Sequence, residues 1–152
     1  MRRTLWLSIL LTFPTLALAS APAVPPSEHP VLREIVSAVS PERLRATDTK
    51  LVGFGTRHTL SDTKSDTRGI GAARRWVKSQ FEEISKQCGG CLEIITPSRV
   101  FTGPRTPSTG VEVMDIVAIQ KGTNDPNRHL VMTAHLDSRV SDIMDVNAEE
   151  PG

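Results

Sequence analysis

His135-Leu136-Asp137 is the place in this 152-residue sequence where residue type and spacing point most directly to chemistry. It closes a short apolar run, 130–134, that reads as a buried strand. Alternate side chains of an extended chain point the same way, so the imidazole and the carboxylate share a face. A carboxylate so placed can take the proton of one ring nitrogen, fix the tautomer and leave the other nitrogen for a metal ion. The same dipeptide spacing also occurs at strand ends where a histidine merely satisfies its own hydrogen bonds.

Cys88-Gly89-Gly90-Cys91 has the spacing of a redox motif. A reactive pair of that kind opens a helix, where the helix dipole stabilises the thiolate. Here the pair follows a helical pattern and precedes a strand pattern, and two glycines suit a helix C-terminus. A structural disulfide between Cys88 and Cys91 is therefore expected. A zinc knuckle would need a second Cys or His pair nearby, and the sequence has none. Of the other histidines, His29 precedes a helix, His129 opens the last strand, and His58 lies in a polar loop beside Arg57, where it is read as a structural hydrogen-bonding group. Arg57 is read as a brace for that loop. Gly53-Phe54-Gly55 lacks the third glycine of a phosphate-binding loop and follows no strand. Ser138 lies in no nucleophile elbow.

The elements that must position these residues are legible as helices first and strands last. Pro30 opens a helix with Val31, Leu32, Ile35, Val36 and Val39 on one face. Ser40-Pro41-Glu42 is a second start signal, with a capping serine, proline at the first helical position and an acid in the first turn. That helix ends near Gly53. A polar loop, 53–69, leads to a third helix expected over about 71–86, where Ala72, Ala73, Trp76, Val77, Phe81 and Ile84 form the strongest apolar stripe. Residues 92–101 read as a strand with Pro97 at an edge or bend, and 111–120 as a second. Turn residues at 121–127 separate it from the third strand, 130–134.

Composition narrows the function class. With 18 Lys+Arg against 17 Asp+Glu the net charge is +1, which offers no field for a nucleic acid. Aromatic content of 4% with no Tyr leaves no stacking platform for single strands. Arg2 and Arg3, the apolar run that follows and Ala17-Leu18-Ala19 read as a secretory signal peptide over 1–19. Its apolar stretch is short for a membrane span and contains Pro14. Residues 20–29, with Pro22, Pro25 and Pro26, read as an extended leader. Residues 30–152 are expected to be one domain, exported to a periplasm or beyond the cell, with no membrane contact once the signal is removed.

Several segments together resemble a known family. Thr133-Ala134-His135-Leu136-Asp137-Ser138-Arg139 resembles the first metal-ligand segment of peptidase family M28, zinc aminopeptidases and related exopeptidases. Val113-Met114-Asp115-Ile116-Val117-Ala118-Ile119 resembles the strand before it. Phe54-Gly55-Thr56-Arg57-His58-Thr59, with the segment 65–73, resembles the family's N-terminal loop and helix start. Pro151-Gly152 resembles the residues ahead of its next metal-ligand motif. The resemblance runs from about residue 30 to the end.

It implies an α/β fold: N-terminal helices, then strands of an open mixed sheet, the incomplete front part of a three-layer zinc-exopeptidase fold. It implies that His135 ligates zinc and that Asp137 stands behind it as its catalytic-site orienter. Two zinc ions in the complete site would act on a peptide substrate. The family's bridging Asp, Glu pair, further Asp and late His have no counterpart here. Glu149-Glu150 stands ahead of any bridging motif and is set aside as the Glu pair, and Asp142 and Asp145 are read as surface acids. The chain is thus expected to be an N-terminal portion, inactive alone, of an exported zinc aminopeptidase. The alternatives are a secreted non-catalytic binding or relic module carrying a structural disulfide, and a small secreted protein without metal. Substrate-binding residues and oligomeric state are not assigned.

Overall fold

The computed structural model describes residues 29–125 and 127–149. The expected signal segment, the leader up to residue 28, Pro126 and Glu150, Pro151 and Gly152 lie outside them. The chain divides into two compact units, Met1–Ser40 and Pro41–Gly152. In the first, α1 (Pro30–Ser37) starts with proline at its first turn, as expected, and closes with the Ala38 amide on the Glu34 carbonyl. Its apolar residues Val31, Leu32, Ile35 and Val36 are exposed.

The second unit holds α2 (Pro41–Val52), α3 (Gly69–Gln87) and four short strands, β1 (Leu92–Ile95), β2 (Ser98–Phe101), β3 (Val111–Met114) and β4 (Val117–Gln120). Helices precede strands, in keeping with the mixed α/β class. The core lies where the end of α2, the loop after it and the start of α3 meet. Phe54, Ala72 and Ala73 are buried there, with Leu51, Trp76 and Leu136 packed against them. The Phe54 and Trp76 rings meet at 6.2 Å, tilted by 57°, a favoured aromatic geometry.

α3 begins two residues earlier than its apolar stripe indicates, and the polar loop is the reason. Helix N-termini leave amides without intrahelical partners, and Arg68 supplies no side-chain cap. Instead the Gly69 amide donates to the Phe54 carbonyl at 2.8 Å, Ile70 to Ser61 Oγ at 2.9 Å and Gly71 to the Asp62 carbonyl at 3.0 Å. Asp62 Oδ1 in turn accepts the Lys64 and Ser65 amides at 2.7 and 2.8 Å. At its far end α3 stops on Gly89 (φ 72°) and Gly90 (φ 88°), with the Gly90 amide on the Ser85 carbonyl at 2.7 Å. Ser85 Oγ donates to the Leu92 carbonyl and accepts its amide, which ties β1 to the helix end. Cys88 and Cys91 are joined across this turn, Cα atoms 5.5 Å apart.

The two expected strands each appear as two. β1 pairs antiparallel with β4, and β2 with β3. The registers Ser98↔Met114 and Ile95↔Val117 continue one another, so the four strands form a single hairpin interrupted midway. Pro97 falls at the interruption, opposite Asp115. The Asp115 amide donates to the Pro97 carbonyl at 3.0 Å, but proline has no amide to return the bond.

The third expected strand, 130–134, does not form. Leu130, Val131 and Met132 are 91%, 77% and 89% exposed, and the segment has no strand assignment. An apolar run becomes a buried strand only beside a pairing edge and a covering layer. Among the described residues no strand lies against it. No helix of the described residues is long and apolar enough to cross a membrane.

Candidate functional site

Burial of one residue orients the pair around it. Leu136 packs against the Phe54–Ala73 core. From 136 to 140 the chain then alternates between half-buried and exposed residues, so His135 and Asp137 both face outward. His135 Nδ1 lies 2.8 Å from Asp137 Oδ1. An ionised carboxylate only accepts, so Nδ1 carries the proton, and in the neutral ring Nε2 then presents its lone pair. The His135 side chain is 92% exposed and that of Asp137 49%.

Arg57 holds the backbone of this segment. Its Nε donates to the Leu136 carbonyl at 2.9 Å and its Nη1 to the Leu51 carbonyl, at the end of α2, at 2.8 Å. The Arg57 amide donates to Ser138 Oγ at 2.9 Å, and its carbonyl accepts the Ser138 amide at 3.3 Å. Burial lowers the guanidinium pKa from its ordinary value, while the Asp137 carboxylate, and then Asp48, pull it back up. The loop-bracing role expected of Arg57 thus extends to a segment 79 residues away, a contact that no local spacing signals.

The rest of the polar loop engages residues 143–149. His58 accepts the Leu60 amide on Nδ1 at 3.0 Å, so Nε2 carries the proton and donates to the Ile143 carbonyl, also at 3.0 Å. This is the structural use expected of it. Thr56 donates its amide to the Ala148 carbonyl at 3.1 Å. Arg68 pairs with Glu149 at 2.7 Å and reaches the Asn147 carbonyl at 3.0 Å. Asp142 and Asp145 turn their Oδ1 atoms onto the amides of Met144, and of Asn147 and Ala148. Asp142 and Asp145 are therefore engaged in local structure, whereas Glu149 is held by Arg68 across 81 residues, a link with no signal in sequence spacing.

Also on α3, Arg74 is 8% exposed and reaches the Glu112 carbonyl at 3.4 Å. Burial lowers its pKa, against the pull of the Glu112 and Asp115 carboxylates.

Among the described residues no group of three His, Cys, Asp or Glu side chains is gathered as a metal cluster. The bare Nε2 of a tautomer-fixed imidazole matches what zinc asks of one nitrogen ligand. The described residues thus fit one ligand position of a zinc ion, at His135.

The sequence is similar to several fungal proteins named probable zinc metalloproteases. One from Pyricularia oryzae is 43% identical over 121 residues, which cover 80% of this chain and 24% of that protein. One from Pyrenophora teres f. teres is 41% identical over 128 residues, covering 84% and 26%. One from Leptosphaeria maculans is 37% identical over 129 residues, covering 85% and 30%. The chain spans about a quarter of the length of the curated relatives it matches. No family model and no solved structure matches it.

Proposed function

We propose that this chain contributes one metal-ligand segment to a zinc-dependent protease, with His135 Nε2 as the ligand and Asp137 as the carboxylate that orients it. The observation that carries this reading is the 2.8 Å contact between His135 Nδ1 and Asp137 Oδ1, with Nε2 facing outward. The similarity to proteins named probable zinc metalloproteases supports the choice of metal and of a peptide substrate.

The finer reading is an exported aminopeptidase of the M28 type with two zinc ions in its complete site. The likeness of residues 133–139 to that family's first metal-ligand segment and the signal-like residues 1–19 support it. When bound, zinc would supply Lewis-acid stabilisation of a polarised amide and a water of lowered pKa. The chain's own residues act before that step. Leu136 anchors in the core, Asp137 keeps the Nδ1 proton in place, and His135 offers a bare nitrogen at the surface.

One ligand falls short of the three that a catalytic zinc usually takes from protein. The 152-residue chain alone is therefore expected to show no peptidase activity. The test is hydrolysis of aminoacyl-anilide substrates with added zinc, by the chain alone and by a longer protein containing it. Activity of the longer protein that His135→Ala abolishes supports the reading. Activity that survives His135→Ala, or turnover by the chain alone that depends on His135, contradicts it.

A further inference from the structure

We propose that Arg57 is a positioning residue for the His135–Asp137 pair, holding the backbone on both sides of Asp137 so that the imidazole keeps its proton on Nδ1. This inference rests on the reading of His135 as a ligand.

The pair cannot hold itself. A contact between side chains 92% and 49% exposed is worth little against their rotamer freedom. Main-chain support from a sheet is also missing, because residues 130–138 belong to no strand. Three hydrogen bonds take its place, all from one residue. Arg57 Nε holds the Leu136 carbonyl, its amide holds Ser138 Oγ, and its carbonyl holds the Ser138 amide. Residues 136 and 138 flank Asp137, so these bonds fix the direction in which the carboxylate leaves the chain.

The guanidinium is itself anchored. Its Nη1 bond to the Leu51 carbonyl fastens the clamp to the C-terminal turn of α2, beside the core into which Leu136 packs. A rigid fork with two donors aimed at two carbonyls is a task for Arg that Lys does not reproduce, since an ammonium on a flexible stem has no fixed second donor.

The tautomer of His135, read by nitrogen NMR of histidine-labelled protein above the pH of imidazole titration, tests this directly. His129, also exposed, serves as the reference for an unconstrained ring. In the wild type His135 is expected to show a protonated Nδ1 and a bare Nε2. Arg57→Ala removes the side-chain bonds to Leu136 and Leu51 but keeps the two main-chain bonds to Ser138. It is therefore expected to move the His135 resonances part-way toward the averaged positions of the reference, and Arg57→Lys to move them less. Should Arg57→Ala lose the near-ultraviolet circular dichroism of the Phe54–Trp76 core, Arg57→Lys and Ser138→Ala decide by the same signals. A wild-type signature that persists in every folded variant overturns the inference and leaves the ligand reading standing. A wild-type protein without the Nδ1–H form overturns both.

Discussion

Ser61 Oγ accepts the Ile70 amide at 2.9 Å, so a loop residue nine positions before Ile70 does the work of a capping side chain for α3. Ser61 is only 6% exposed and Ile70 3%, so loss of the hydroxyl leaves a buried amide without its partner. Ser61→Ala is therefore expected to destabilise the fold by about 0.5–2 kcal/mol, the range for losing a capping hydroxyl. Urea denaturation measures this, and an unchanged midpoint would show that the loop does not cap the helix.

Two glycines on either end of α3 should respond differently to alanine. At Gly71 an added Cβ would overlap the carbonyl oxygen of Thr63, a backbone atom that cannot rotate away. At Gly89 (φ +72°) a Cβ would meet nothing within 4 Å, so only backbone strain remains. Gly89→Ala is expected to cost about 1–2 kcal/mol. Gly71→Ala should cost more, because the loop must leave the helix start and take three amide bonds with it. Thermal melts of the two variants compare them, and equal losses would contradict the close approach of Thr63.

These glycines also mark what could be read beforehand. Pro41, Gly89-Gly90 and the apolar stripe from Ala72 to Ile84 act through neighbours in sequence, and helix boundaries follow from them to within two residues. The site was half legible for the same reason. His135 and Asp137 are two apart, but Arg57 meets Leu136 across 79 residues, and local spacing carries no trace of such a contact. The run 130–134 misled because hydrophobicity states a demand for burial and says nothing of whether a pairing strand answers it.

Asp62 gives the loop a pH dependence. Amide hydrogen bonds from Ser65, then Lys64, hold its carboxyl pKa below the ordinary value of 3.8. A group whose pKa is depressed on folding stabilises the fold above its unfolded pKa and loses that contribution as the pH falls through the folded one. The stabilisation is thus expected in full at neutral pH and to fade below about pH 4. Asp62→Asn removes the charge that titrates, so its stability should vary less between pH 7 and pH 3. Parallel pH–stability curves for the two proteins would refute this assignment.

Cys88 and Cys91 are expected to be oxidised to each other in protein recovered from an export compartment. The proposed signal peptide, the helix-terminating turn between them and the Cα separation of 5.5 Å support this. So short a loop should be stabilised by less than the ~3 kcal/mol of a fifteen-residue loop. Non-reducing mass spectrometry reads the bond directly, and two free alkylatable thiols would rule it out.

Asp137 is the sharpest test of the metal reading. Its carboxylate lies half-exposed outside the core, so Asp137→Asn should leave the fold intact. What it removes is the charge that holds the Nδ1 proton of His135 in place. Loss of such an orienting partner typically costs about 10–100-fold in metal affinity or activity. His135→Ala should cost more, because it deletes the donor atom itself. Both are measured by zinc titration of a longer protein containing this chain, with circular dichroism as the control on folding. If Asp137→Asn binds zinc as the wild type does while His135→Ala does not, Asp137 has no orienting role. If neither variant changes zinc affinity, the pair is a surface hydrogen bond and the ligands lie elsewhere.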